Sequence, residues 1–199
     1  MGSEACGYIA VLDTETNFDD EVISIGVVAA RVPDLRPADR LYLILEPECF
    51  KPSMFGSSLM HERAAVDARL PRCEAIRLVR DFLDRYGIEQ LFAYNAPFDR
   101  MHLPELWDRR WYDILRLAAY RQYNPAIPED CPCCGSGRMK RGYCAENIYR
   151  MLTGKDSYRE IHNALTDAED ELEIMRCLGH PLRVYERTEI GSAFCSGGE

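Results

Sequence analysis

The stretch Tyr8-Ile9-Ala10-Val11-Leu12-Asp13-Thr14-Glu15-Thr16 carries the first decision about the fold. An apolar run to Leu12 ends in two acids spaced two apart. In an extended strand, a period of two turns Asp13 and Glu15 to one face. Asn17-Phe18-Asp19-Asp20 has the length of a hairpin turn, and Val22-Ile23-Ser24-Ile25-Gly26-Val27-Val28 is too β-branched for a helix. The two runs are predicted to pair antiparallel, with residues 41–45 as a third strand of the meander.

Outward from there the period changes. Residues 46–71 read as a long irregular stretch, and connections of that length usually carry function. Ile76, Val79, Leu83 and Tyr86 recur at helical spacing, with Gly87 as a stop. Residues 90–96 read as a buried strand, 99–107 as a short helix that Pro104 interrupts, and 111–114 as a strand. Helices are predicted over 115–123, from Cys144 to Gly154, and from Ala164 to Gly179. The last carries Leu165, Ala168, Leu172 and Met175 as its buried stripe. Three strands, then helices alternating with two more, make an α/β pattern: a mixed five-stranded sheet flanked by helices. In this reading residues 1–180 are the folded domain, with a cysteine-rich insert at about 124–144. Residues 181–199 are a C-terminal tail, frayed from Ser192.

A chain of 199 residues with 47% hydrophobic and 29% charged residues suits one soluble globular domain, which excludes disorder and collagen-like repeats. No apolar run reaches about 18 residues, so no membrane span is expected. The start, Met1-Gly2-Ser3-Glu4-Ala5-Cys6, lacks the basic and apolar parts of a signal peptide. The nine cysteines are therefore expected as reduced thiols in a cytoplasmic protein. Twenty-four basic against 33 acidic residues leave a net charge of −9. That balance excludes a protein that holds nucleic acid by phosphate neutralisation alone; bound metal or a local basic patch would be needed.

Two acids on one half-buried face repel each other and push a pKa upward, and a divalent cation removes that penalty. Hard oxygen donors suit Mg²⁺ or Mn²⁺. Alone, the pair has an ordinary reading as a solvated strand end. It has company in Tyr94-Asn95-Ala96-Pro97-Phe98-Asp99, after a second strand, and in His162-Asn163-Ala164-Leu165-Thr166-Asp167, where a loop enters the last helix. Asp99 and Asp167 also suit helix starts, where the macrodipole favours an acid. Asp113 is read as a cap for the following helix, and Phe98 as core.

In this order the three motifs resemble those of the DEDDh 3′–5′ exonucleases, which include polymerase proofreading subunits, oligoribonuclease and RNase T. The resemblance runs from about Tyr8 to Gly179. The tyrosine-type variant does not fit, because Asn163 stands where its tyrosine would be. The resemblance implies a ribonuclease H-like fold and two-metal hydrolysis of phosphodiesters at the 3′ ends of single-stranded DNA or RNA, releasing nucleoside 5′-monophosphates. By the same resemblance Asp13 would bridge two Mg²⁺ or Mn²⁺ ions, with Glu15 and Asp167 completing one site and Asp99 supporting the other. His162 would take the proton from the attacking water, a task suited to a pKa near about 6.5. Two divalent ions would also offset part of the negative charge. Thr14, Thr16, Asn95 and His61 are candidates for contact with the terminal nucleotide. A polymerase or repair partner, and a homodimer, are the associations such enzymes suggest.

Cys131-Pro132-Cys133-Cys134-Gly135 contains the Cys-Pro-x-Cys-Gly half of a zinc ribbon, and Cys144 follows ten residues after Cys134. Cys131, Cys133, Cys134 and Cys144 are the candidate ligands for a structural Zn²⁺; unliganded thiols are the other reading. A competing function is a non-catalytic exonuclease-like adaptor that binds nucleic acid or protein through this insert. The full set of acids and His162 speaks for catalysis, since binding alone would not require them.

Overall fold

Strand β1 (Tyr8–Thr16) lies inside the sheet, and both of its faces are covered. Its sequence is accordingly a continuous apolar run. In the computed structural model, which describes residues 7–191, Ile9 and Val11 join one core while Ala10 and Leu12 join the other. Antiparallel β2 (Val22–Arg31) and β3 (Arg36–Leu45) continue the sheet on one side, and β4 (Ala68–Leu70) lies parallel to β3 at the edge. On the other side come parallel β5 (Gln90–Ala93) and β6 (Arg110–Asp113), then antiparallel β7 (Glu189–Ile190). The order is β4-β3-β2-β1-β5-β6-β7.

The mixed sheet is as expected, but it has seven strands rather than five. The two extra strands hold three and two residues, too few for a period to register. β3 also begins earlier than expected, because its first half, Arg36 to Arg40, is polar and mostly exposed. Past Gly179 the chain does not weaken into a tail. The short helix Leu182–Tyr185 buries Tyr185 edge-on against Phe92, and β7 closes the sheet. Residues 192–199 and 1–6, which include the expected frayed end, lie outside the described residues.

Helix α1 (Arg72–Arg85) covers the Ala10/Leu12 face with Ala75, Ile76, Val79, Phe82 and Leu83. Gly87 follows in the left-handed region at φ 60°, as its role as a stop requires. The expected helix over 99–107 is α2 (Pro97–His102) followed by a 3₁₀ turn (Pro104–Leu106), so Pro104 does interrupt it. The helix expected over 115–123 ends early as α3 (Leu115–Ala118). Its next carbonyls are taken from outside: Asn124 Nδ2 donates to Ala118 O at 2.7 Å, and Met139 N–H donates to Ala119 O at 2.9 Å. Helices α4 (Ala145–Thr153) and α5 (Ala164–Leu178) cover the Ile9/Val11 face, with the expected α5 stripe buried. Among the described residues no helix is long and apolar enough to cross a membrane.

One contact seats α5. A Cβ built on Gly26 of β2 would lie 2.2 Å from the carbonyl carbon and oxygen of Ala164 and 2.3 Å from Leu165 N. Gly26 is also the cross-strand neighbour of Asp13. Backbone cannot yield as a flexible side chain can, so Gly26→Ala should destabilise the protein by about 3 kcal/mol. Denaturant unfolding checks this. A loss below about 1 kcal/mol would show that α5 does not need this approach.

Candidate active site

Strand parity carries the Ile9/Val11 face onward to Asp13 and Glu15, so both acids emerge on the side covered by α5. Asp167 meets them from the first turn of α5. That turn starts where it does because Asn163 caps it: its side-chain oxygen accepts from the N–H groups of Leu165 (3.2 Å) and Thr166 (3.3 Å). The amide nitrogen of Asn163 donates to Tyr42 Oη (2.8 Å) and Ser58 O (2.9 Å), tying the helix to β3 and to the long loop. Asp99, in the first turn of α2, accepts at one oxygen from Thr14 N–H (3.0 Å) and Thr14 Oγ1 (2.8 Å).

These segments enclose a cleft of about 370 Å³. Asp13, Glu15, Asp99, Asp167 and His162 all line it, as do Thr14, Thr16 and Asn95. His61 does not; it turns within its own loop, where its Nδ1 accepts from Arg63 N–H at 3.3 Å. Asp113 takes the expected capping role, accepting from Leu115 N–H and also from Asn95 N–H, both at 3.1 Å. Phe98 is not core: it is 36% exposed and faces the cleft. A larger hollow of about 520 Å³, at the far end of α5 between Leu35 and His180, gathers no such set of acids.

Burial raises every acid of the cluster, and repulsion between carboxylates adds to it at Asp13, Glu15 and Asp167. Burial first, then Glu160 and Asp99, push Glu15 up to about 8. Burial raises Asp99 to about 7 against the two bonds from Thr14. Asp167 reaches about 9, mainly through burial and then Glu160 and Glu15. Asp13 also rises, through burial and then the charges of Asp99, Glu171 and Asp167. A cation is what this arrangement accommodates. Among the described residues Asp13 Oδ2 is buried without a hydrogen-bond partner, and one ligand atom from each of Glu15, His162 and Asp167 lies within 4.8 Å of the others. Carboxylate oxygens of this kind fit Mg²⁺ or Mn²⁺.

Several residues in or beneath the cleft escaped the sequence reading. Glu171, 3% exposed, lies one helical turn beyond Asp167, and the i+4 spacing is a signal that could have found it. Its carboxylate accepts from Tyr94 N–H at 3.0 Å. Glu160 lines the cleft two residues before His162. Phe18, Met54 and Phe55 line it from a turn and a loop, where no periodicity marks a face.

Of the four candidate zinc ligands, Cys131 and Cys133 lie close enough to interact. Among the described residues, no three of Cys131, Cys133, Cys134 and Cys144 present sulfurs within 4.8 Å of one another. The insert is knit instead by backbone bonds, Cys134 N–H to Arg138 O (2.7 Å) and Lys140 N–H to Pro132 O (2.9 Å). The Arg121 guanidinium adds bonds to the carbonyls of Pro128, Glu129 and Cys131.

Comparison with solved structures agrees with this architecture. The nuclease domain of 3′hExo, a DEDDh family member bound to rAMP, is similar with a TM-score of 0.58 and 17% identity, over 88% of this chain and 92% of that one. The chain has the fold of the DEDDh 3′-exonucleases. Exonuclease X in complex with 5′ overhanging duplex DNA matches with a TM-score of 0.53 and 21% identity, over 90% of this chain and 96% of that one. E. coli Exonuclease I in complex with a dT13 oligonucleotide matches at 0.60 and 11% identity, covering 91% of this chain but 43% of its own length. No family profile and no curated protein matches the sequence. The likeness is therefore one of fold, carried by the structure.

The raised carboxyls give the fold a pH dependence of definite sign. Between their ordinary values near 4 and folded values of about 7 to 9, these acids keep protons that the unfolded chain has released. The folded state binds more protons there, so stability falls as pH rises. In EDTA the melting temperature should drop from about pH 5 to about pH 9, and Mg²⁺ or Mn²⁺ should raise it most at the alkaline end. A melting temperature that climbs with pH in EDTA would contradict this electrostatic account.

Proposed function

We propose that the protein is a divalent-metal-dependent 3′–5′ exonuclease, hydrolysing phosphodiester bonds of single-stranded DNA or RNA to release nucleoside 5′-monophosphates. The observation that carries this reading is the convergence of Asp13, Glu15, Asp99, Asp167 and His162, from three separate segments, on one cleft. Asp13, Glu15, Asp99 and Asp167 would hold the cations, and the unpartnered Asp13 Oδ2 supports that assignment. Bound divalent ions would supply charge relief on the leaving oxygen and lower the cost of forming the attacking hydroxide.

The remaining work falls to the protein's own groups. His162 is half-exposed at the cleft, and burial lowers its pKa, which keeps the imidazole neutral and able to accept a proton at neutral pH. Thr14 fixes the carboxylate of Asp99 with two hydrogen bonds, leaving its other oxygen for the cleft. Asn95 and Thr16 present polar side chains beside the acids, where a terminal nucleotide would sit. Among the described residues no lysine or arginine lines the cleft. Approach of a polyanion to so many acids therefore requires the cations.

The test is degradation of a 5′-labelled single-stranded oligonucleotide, as DNA and as RNA, with Mg²⁺ or Mn²⁺ and then with EDTA. Wild type should produce a ladder shortening from the 3′ end, abolished by EDTA. Asp13→Asn should lower kcat by about 10³-fold or more, the scale of removing a group that stabilises transition-state charge. Oligonucleotide binding with no cleavage by wild type on either substrate would favour the adaptor instead.

A further inference from the structure

We propose that Phe55 is a positioning residue for His162, fixing the plane of the imidazole by stacking where hydrogen bonds do not. This deepens the exonuclease reading and rests on His162 acting as the base. The two rings lie 4.0 Å apart between centroids with an interplanar angle of 19°. Neither ring nitrogen of His162 has a hydrogen-bond partner among the described residues. The nearest charged group, Glu160 Oε2, is 4.0 Å from Nδ1, beyond hydrogen-bond reach. His102 shows the contrast. Its Nδ1 lies 2.9 Å from Phe98 O and its Nε2 3.0 Å from Asp20 Oδ1, so both nitrogens are engaged.

The same loop holds the backbone of His162. His162 adopts the left-handed region at φ 56°, unusual for a side chain of this size, and its carbonyl accepts from Ser58 Oγ. Ser58 O in turn accepts from Asn163 Nδ2 at 2.9 Å. Loop residues 55–58 thus grip both the ring and the peptide of His162. A flat aromatic contact suits a group that must take up and release a proton in every turnover. It restrains the ring plane and leaves both nitrogens free to react. Phe55 itself is half-buried and belongs to neither hydrophobic core, so replacing it should spare the fold.

The experiment compares wild type with Phe55→Leu, which keeps apolar bulk but loses the flat face, and Phe55→Tyr, which keeps the face. Steady-state hydrolysis of the labelled oligonucleotide is measured alongside proton NMR of the histidine rings, with His162→Gln supplying the assignment. Phe55→Leu should lower kcat by about 10-fold while KM stays within about twofold. Phe55→Tyr should restore the rate. In the spectrum, the ring-current shift of the His162 protons should disappear in Phe55→Leu and persist in Phe55→Tyr. Unmoved His162 resonances would overturn the proposal. So would a raised KM at constant kcat, which would make Phe55 a contact for the substrate base. The NMR arm needs no turnover, so an inactive wild type would count against the exonuclease reading while the spectra still decide whether Phe55 holds the ring.

Discussion

The amino end of α5 rests on bare backbone at Gly26, and the site depends on that approach. Gly26 pairs across the sheet with Asp13, so the lack of a side chain there lets the helix come down beside the strand that carries the first two acids. Asp167 sits in the first turn of the seated helix, and His162 immediately precedes its cap. Asn163 locks the arrangement by joining the helix start to Tyr42 and Ser58. A shift of α5 along β2 would part the carboxylates that share the cleft.

That proximity works against the fold. The acids are buried near one another with their pKa values raised, a state that costs stability once they ionise. The hydrogen bonds from Thr14 to Asp99 ease it only in part, and Asp13 Oδ2 has no partner among the described residues. Repulsion of this kind makes a site receptive to cations, and under the proposed function it would let a chain of net charge −9 approach a phosphodiester. Around this charged floor stand apolar side chains from the turn after β1, the long loop and α2: Phe18, Met54, Phe55 and Phe98. Under the proposed function the acids would meet the phosphate through cations, and Phe18, Met54 and Phe98 would offer apolar surface to the rest of a nucleotide, with Phe55 turned to His162.

Much of this was legible in the chain because the signals are local. β1 and β2 announce themselves by β-branched runs, α1 and α5 by period and by their glycine stops, and the acids by where those elements end. The parts missed lack such signals. β4 and β7 are too short for a period, and α3 stops early where Asn124, six residues on, takes the Ala118 carbonyl and Met139, from across the insert, takes that of Ala119. Tyr185 is buried by packing on Phe92, a partner 93 positions away that no local pattern encodes. The insert carries zinc-ribbon spacing, while its backbone is organised by Arg121 and by backbone hydrogen bonds that no local spacing announces.

By itself the sequence determined the α/β class and the order in which Asp13, Glu15, Asp99, His162 and Asp167 appear. Both follow from short-range patterns of strand parity, helix period and capping. Only the tertiary structure decided which other residues join them. Glu171 and Glu160 add to the repulsion, Phe55 meets His162, and His61 turns away. Those choices depend on how a 26-residue connection folds back over the sheet edge and on how closely α5 approaches β2. Neither is written in any single window of the chain, because each is set by contacts between residues far apart in sequence.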